Sequence, residues 1–455
     1  MTASFDSDRD ITICGAGLAG SLLAILLAQR GFRVRMFERL GDLRRETIPA
    51  GRSINLALAA RGIRPLELAG IMPTVQPHLI AMPGRMLHDV SGTETFLPYG
   101  KDASEVNYSV SRPGLNQLLL DAAEREGVQI HFHHAVVGAD FEARTVRIRP
   151  EGGSEFDIDM HHVIGTDGAG SVLRHALVEH SGARCTEDML PHGYKELTIP
   201  AADDGSHRIE RHALHIWPRG GFMLIALPNT DGSFTATLFA PHEGADSFAS
   251  LTDAAKVRSF FTRHFPDALE LIPNIEAEFA ARPLGHMGTV RCERWHAGGD
   301  LLLLGDAAHA ITPFHGQGMN CAFEDCAQLA TLLSSESDFE KVFGRVESLR
   351  KPNTDAIATM ALENYLEMRD TVRDPTFQLQ KLLSLELERR FPNRFIPRYS
   401  MVMFHERIPY ATAFERGRIQ AEILTELTRS ARSLEEIDWA HAAELIERKL
   451  EPILA

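Results

Sequence analysis

Three clusters of residues in this chain have the types and spacing to hold a phosphate-bearing nucleotide. The first is Gly15-Ala-Gly17-Leu-Ala-Gly20, entered by the apolar run Ile11-Thr-Ile-Cys and answered by Glu38 at the end of a second apolar run. In a strand-helix-strand unit, Gly15 permits the tight turn, Gly17 lets the backbone approach a pyrophosphate, and Gly20 lets helix and strand pack closely. The N-terminus of the helix then meets the phosphate charge. Glu38 accepts hydrogen bonds from a free ribose 2′-hydroxyl, which suits FAD or NAD and repels the 2′-phosphate of NADP. The second cluster is Asp167-Gly168-Ala-Gly170-Ser171, where a strand ends on a carboxylate and a turn of small residues starts a helix. That geometry puts Asp167 beside the first glycine loop, although a plain turn also accounts for Asp-Gly alone. In the third, the run Leu301-Leu-Leu-Leu ends on Gly305-Asp306, and Pro313-Phe314-His315-Gly316-Gln-Gly318-Met319-Asn320 follows. Asp306 sits where open α/β sheets bind ligands, at the C-terminal end of a buried parallel strand. The glycine-rich turn offers a second helix N-terminus, whose unpaired N–H groups stabilise an anion; for a flavin, that anion is the reduced ring.

These clusters need a scaffold, and the hydrophobic pattern supplies one. An apolar helix after Gly17 is closed by Gly31, and residues 59–69 read as a second helix. The stretch 41–58 is loop-like, and its Arg52 and Asn55 either touch the cofactor or belong to a solvated connection. Arg112-Pro-Gly opens a helix with Leu115, Leu118, Leu119, Ala122 and Ala123 on one face and Gly127 as its stop. From Val128 the period becomes two: Val128, Ile130 and Phe132, then Val146 and Ile148, predict a half-exposed antiparallel meander. The meander accounts for His131, His133 and His134 without a metal. Residues 212–217, 222–227 and 233–239 are strands joined by Arg219-Gly-Gly and Asn229-Thr-Asp-Gly hairpins. Residues 421–427 and 442–450 carry amphipathic helical patterns.

Composition bounds the function. At 455 residues, 44% apolar and 24% charged, the chain has room for two or three domains with substantial cores. A net charge of -15 with scattered arginines disfavours nucleic acid or an anionic membrane. No apolar run approaches the length of a membrane span, and residues 1–10 are polar and acidic where a signal peptide is basic and then apolar. Five cysteines without CxxC spacing predict a reducing, cytoplasmic setting and no disulfide frame. Among the 21 histidines, none stands in a ligand spacing, so no metal is expected.

In their order and distances, the GxGxxG ending in Glu38, Asp167-Gly168 after a meander, and Gly305-Asp306-Ala-Ala-His309 resemble the single-component FAD-dependent aromatic hydroxylases. Further strings are similar to the kynurenine-hydroxylating branch of that family over nearly the full length. They are GRSINLAL (51–58), GRM (84–86), PYG (98–100), PHGYKEL (191–197), LHIWP (214–218), PFHGQGMNCAFED (313–325), ALENYLEM (361–368) and FIPRYSMV (395–402). The resemblance implies an α/β fold: a Rossmann-like FAD-binding domain (8–72, 101–175 and 288–367), an inserted β-sheet substrate domain (73–100 and 176–287), and a C-terminal helical region (368–455). It implies that FAD is held by Gly15, Gly17, Gly20, Glu38, Arg39, Asn55, Arg112, Asp167, Asp306 and the Gly318-Met319-Asn320 turn. It also implies that L-kynurenine is bound with its carboxylate on Arg85 and Tyr99, its amino-acid end near Asn364 and Tyr399, and its ring walled by Ile225, Phe239, Pro313, Phe314 and His315. The implied reaction is hydride transfer from NADPH to FAD, addition of O2 at flavin C4a, and transfer of one oxygen to the ring carbon ortho to the aniline amine. The flavin carries that chemistry and no side chain is assigned as catalytic. A helical cap over the pocket is the expected role of the C-terminal region, with a homodimer contact as the alternative. Two rivals stand beside this reading: a hydroxylase of another aromatic acid such as salicylate or 4-hydroxybenzoate, and a flavin-binding redox sensor that does not turn over.

Overall fold

The structure is a computed structural model that describes residues 9–46, 55–368 and 374–453. Arg52 lies outside the described residues. The chain builds a six-stranded sheet in the order His296–Ala297, Leu301–Leu303, Val163–Gly165, Asp10–Cys14, Arg33–Phe37, Gln129–His131. Its inner strands are parallel, and only the edge pair His296–Ala297 runs antiparallel. The helix Leu18–Ala28 is apolar on every side because it is covered on every side: Leu22 through Leu27 are wholly buried. The sheet lies against it, as do the helices Arg112–Arg125 and Gly318–Leu333. Each such leucine or isoleucine contributes about 1.5–3 kcal/mol relative to exposure.

A second, seven-stranded sheet has the order Gly285–Cys292, Cys185–Ile199, Phe234–Pro241, Met223–Pro228, Leu214–Pro218, Gly84–His88, Glu94–Pro98. The short segment 84–98 therefore completes a sheet whose other strands lie beyond residue 184. Strand alternation gives this sheet two working faces. Trp217, Leu224, Ala226, Phe234, Ala236 and Leu238 pack with Phe260, Phe261 and Phe265 from the helices beneath. Ile216, Met223, Ile225 and Phe239 point the other way, toward Phe314, Tyr365 and Met368. The long helix Phe339–Leu366 and the helices Pro375–Arg390, Arg398–Met403, Tyr410–Leu427 and Trp439–Lys449 close the molecule at the C-terminal side. Among the described residues, no helix is long and apolar enough to cross a membrane.

Two expectations are corrected. Gln129–His131 is not part of the antiparallel meander but pairs in parallel with Arg33–Phe37; the antiparallel sheet is His134–Asp140, Thr145–Pro150 and Phe156–Asp159. A half-exposed edge strand of a parallel sheet shows the same period of two as a meander strand, so the pattern alone could not separate them. Nor is the chain free of disulfides: Cys185 and Cys292 are joined, facing each other across the antiparallel pair formed by Cys185–Ile199 and Gly285–Cys292. The two cysteines are 107 positions apart, a pairing that strand register creates and sequence spacing does not announce. Cys14, Cys321 and Cys326 are free and buried.

Candidate active site

The three glycine-rich clusters converge at the C-terminal end of the parallel sheet. Gly15 adopts φ +106°, and a Cβ there would stand 2.4 Å from the Thr166 carbonyl oxygen, so the turn is closed to other residues. At Gly20 a Cβ would meet the Gly15 carbonyl oxygen at 2.0 Å, the close helix-to-turn packing expected of the third glycine. Gly17 differs: no protein atom lies within 4 Å of a Cβ built there. The space in front of the helix N-terminus is open, as a pyrophosphate requires. Glu38 closes onto this turn, accepting from the Ala16 N–H at 2.8 Å and the Leu40 N–H at 2.8 Å. Asp167 caps the helix Val172–Ser181 through Oδ2, which accepts from Val172 at 2.8 Å, while its buried Oδ1 has no partner in the protein. Burial raises the Asp167 pKa, so an incoming hydroxyl or N–H aimed at Oδ1 would find a carboxylate in need of a donor. Arg39, Arg112 and Asp306 are exposed.

The Gly305-Asp306 turn is fixed from behind by a buried network. Asp325, fully buried on the helix Gly318–Leu333, accepts from the Gly305 N–H at 3.2 Å, pairs with His309 Nε2 at 2.6 Å and with Arg350 Nε at 2.6 Å. Burial opposes the Asp325 charge, but His309 and Arg350 outweigh it and hold its pKa below the usual carboxylate range. Asn320 ties the second glycine turn to the strand Asn55–Leu58: its Nδ2 donates to the Ala57 and Gly316 carbonyls, and its Oδ1 accepts from the Ala59 N–H. Asn55 braces a joint between the strand pair Asn55–Leu58/Asn107–Ser111 and the seven-stranded sheet, donating to Ser109 Oγ, the Pro228 carbonyl and Asn229 Oδ1. Its side-chain N–H groups are thus spent on protein partners.

The residues expected around an aromatic amino acid gather on the pocket face of the second sheet. Arg85, buried on the strand Gly84–His88, places its guanidinium carbon 5.3 Å from the Tyr99 ring centroid and 5.2 Å from that of Tyr399. Burial works against its charge, yet Tyr399, Tyr99 and Glu367 more than compensate, and the pKa is raised. The two phenol rings stack at 5.3 Å, and burial raises the pKa of both, so they stand as neutral donors. His315 stacks on the other partner of this pile, Tyr399, at 5.5 Å; burial, with Arg398, Arg85 and Lys381 nearby, pushes its pKa down to about 3. The imidazole is neutral at physiological pH. Phe314 lies between Phe239, at 5.1 Å, and Tyr365, at 4.3 Å, while Ile225 packs into both apolar clusters of the pocket. Asn364 donates to the Phe314 carbonyl and so braces this wall from the long helix. Pro313 is exposed at the rim.

Sequence reasoning missed several residues here. Asn107, on the strand Asn107–Ser111, donates to the Tyr399 hydroxyl at 3.0 Å and so fixes the phenol. Tyr365 and Met368 complete the apolar wall, and both lie inside the ALENYLEM string, where the helical period marks them as core. An open concavity of about 620 Å³ between the three-stranded sheet and the helix Val172–Ser181 is lined by none of the predicted site residues.

Residues 8–338 match the family described as "FAD binding domain". The chain is 50% identical to "Kynurenine 3-monooxygenase" of Stenotrophomonas maltophilia (strain K279a), covering 98% of each chain. It is 48% identical to the protein of that name from Myxococcus xanthus (strain DK1622), covering 98% of this chain and 96% of the other. Among solved structures, it resembles 2-methyl-3-hydroxypyridine-5-carboxylic acid oxygenase with a TM-score of 0.63 at 23% identity, covering 81% of this chain and 94% of that one. It also resembles Pseudomonas aeruginosa PqsL in complex with 2-aminobenzoylacetate, with a TM-score of 0.61 at 21% identity, covering 84% and 98%. At these identities the solved structures speak for the fold.

Proposed function

The chain belongs to the kynurenine 3-monooxygenase family of FAD-binding proteins, and from that premise we propose that it hydroxylates L-kynurenine to 3-hydroxykynurenine with NADPH and O2. One observation carries the reading to the residues. The turn 313–320 has His315 stacked on Tyr399 and Phe314 against Phe239 at one end, and the N-terminus of the helix Gly318–Leu333 at the other. A single short turn therefore borders both the aromatic-acid pocket and the anion-stabilising helix end.

Gly17, Glu38, Asp167, Asp306 and the Gly318 helix end are the groups that would hold FAD, through open backbone at the turn and an orphaned buried carboxylate oxygen. FAD, when bound, supplies hydride acceptance and oxygen activation. The protein's share is binding, orientation and dryness. Arg85 presents a planar fork to the substrate carboxylate, and the Tyr99 and Tyr399 hydroxyls add neutral donors without adding charge. At the ring end, Phe239, Phe314, Ile225 and Tyr365 exclude water, which would otherwise divert reduced oxygen to H2O2. Neutral His315 borders the ring without placing a cation beside the aniline.

The test is NADPH oxidation and O2 uptake by the FAD-loaded protein, with and without L-kynurenine, with the product identified by mass. Hydroxykynurenine formed with ligand-stimulated oxidation supports the proposal. Oxidation that yields only H2O2 with L-kynurenine, but a hydroxylated product with another aromatic acid, refutes the substrate. Arg85→Ala and Tyr99→Phe are expected to raise the KM for L-kynurenine and to lower the ratio of product to NADPH consumed; unchanged values in both variants would remove the clamp.

A further inference from the structure

The helix Pro375–Arg390 delivers a second cation to the carboxylate end of the pocket. Lys381 Nζ lies 5.1 Å from the Tyr399 ring centroid, the same ring that Arg85 approaches at 5.2 Å. The helix is locked in that position on both sides of Lys381. Leu379, Leu383 and Leu387 bury themselves against Ile423, Leu445 and Leu450. Glu388, two turns further along the same face, pairs with Lys101 Nζ at 3.1 Å, just beyond Tyr99 in sequence.

The electrostatic surroundings of Lys381 are incomplete. Burial and the neighbouring Arg85 push its pKa down to about 8, Arg398 acts in the same direction, and Glu367 is the carboxylate that opposes them. His315 and Tyr399, the other titratable groups at this wall, are neutral there. Among the described residues, no carboxylate forms an ion pair with Lys381, whereas Lys101 on the same helix's far contact has two, Glu105 and Glu388. An ammonium and a guanidinium held around one phenol ring, with Glu367 as the carboxylate that acts on both, constitute a site that gains from an added anion. A solvated surface lysine would show none of this.

Resting on the substrate reading above, we propose that Lys381 is a substrate-binding residue, its ammonium joining the Arg85 guanidinium to bind the α-carboxylate of the amino-acid substrate beside Tyr399. Two cations from different segments, one on the sheet and one on the C-terminal helices, then meet on one carboxylate. The helical region becomes part of the specificity for an acid and does more than cover the pocket.

The experiment titrates FAD-loaded wild type, Lys381→Met and Lys381→Arg with L-kynurenine and with its decarboxylated amine, following flavin absorbance. Loss of one charge-assisted contact corresponds to about a tenfold or greater rise in Kd for L-kynurenine in Lys381→Met, with less than about a twofold change for the decarboxylated amine. Wild-type affinity for L-kynurenine should fall from pH 8 to pH 9.5 more steeply than that of Lys381→Arg, because deprotonation removes the lysine's charge but not the arginine's. An equal loss for both ligands would show that Lys381 only supports the pocket, and an unchanged Kd for L-kynurenine would remove it from the site; either overturns the proposal. Wild-type protein that binds no L-kynurenine overturns the substrate reading instead. The same pair of titrations, run with the aromatic acid that does bind and its decarboxylated form, then decides Lys381 independently.

Discussion

Asp325→Asn tests whether the turn that carries Asp306 is held by the buried charge network behind it. The Asp325 side chain is fully buried and satisfies three donors: the Gly305 N–H at 3.2 Å, His309 Nε2 at 2.6 Å and Arg350 Nε at 2.6 Å. Asparagine keeps the shape but offers one acceptor and turns an N–H₂ toward groups that are themselves donors. Removing one partner of a buried ion pair costs about 3–5 kcal/mol. Arg350 retains Glu324 at 3.0 Å, so the lower end, about 3 kcal/mol, applies here. For a chain of this size that is a fall in melting temperature of about 3 °C, extrapolating the usual size dependence. Gly305 adopts φ +57° and its N–H is one of the lost bonds, so the same variant should release FAD more readily on dilution. The pH dependence follows from the sign of the shift. Asp325 has a depressed folded pKa, so its contribution is complete above the unfolded value near 3.9 and disappears as pH falls through the folded one. Wild type and Asp325→Asn should differ at pH 7 and converge in acid. Calorimetry with a parallel flavin-release assay reads both; a variant that melts within 1 °C of wild type at pH 7 and keeps its FAD would refute this account of the network.

Gly17→Ala should fold and melt like wild type yet bind FAD at least about tenfold more weakly, whereas Gly20→Ala, whose Cβ would lie 2.0 Å from the Gly15 carbonyl oxygen, should lose stability in the apoprotein as well; equal melting of both would contradict the packing. Glu388 has its pKa pushed up to about 7, by burial first and then Glu105, against the pull of Lys101, so the folded protein loses stability as pH rises from the unfolded value near 4.3 toward 7. Glu388→Gln should therefore melt higher than wild type at pH 8, by an amount worth about 1–3 kcal/mol, and equally at pH 4; a lower melting point at pH 8 would show that the Lys101 pair dominates. Thiol titration of the unfolded, unreduced protein should find three free cysteines, and reduction should cost up to about 5 kcal/mol for a closed loop of 107 residues. Five reactive thiols before reduction would remove the Cys185–Cys292 bond.

What was legible in the sequence was what local geometry enforces. The fingerprint glycines are readable because no side chain fits at Gly15 or Gly20, and the strands Leu214–Pro218, Met223–Pro228 and Phe234–Pro241 because alternation survives within each of them. The residues of the pocket were reachable only through resemblance, since Arg85 reads as a surface charge and Tyr99 as a core aromatic until their neighbours are known. Pairings across long separations stayed hidden: Gln129–His131 beside Arg33–Phe37, Cys185 opposite Cys292, and Asn107 under Tyr399. Lys381 was invisible for a related reason. A lysine in an amphipathic helix is ordinarily solvated, and only the docking of that helix against Tyr399 makes its charge matter.

The second sheet explains how a pocket assembled from distant segments can be rigid. In the strand Met223–Pro228, Leu224 and Ala226 are locked into the core with Phe260, Phe261 and Phe265, while Ile225 and Met223 face the ligand side. Arg85 stands opposite Leu214 in the parallel pair and so shares that side, and Gly84 before it leaves room for Phe96 and the Leu97 carbonyl at 2.4 and 2.5 Å from where a Cβ would be. A slip of one residue in any of these strands would exchange pocket and core residues at once, so the burial that stabilises one face also fixes the register of the other. The proposed clamp needs that precision on the sheet side because Tyr399 and Lys381 come from helices that pack largely in two other clusters. Arg85, Tyr99, Tyr399 and Lys381 thus meet at the seam between the sheet and the C-terminal helices, and the proposed binding of an acid there requires both to be in place.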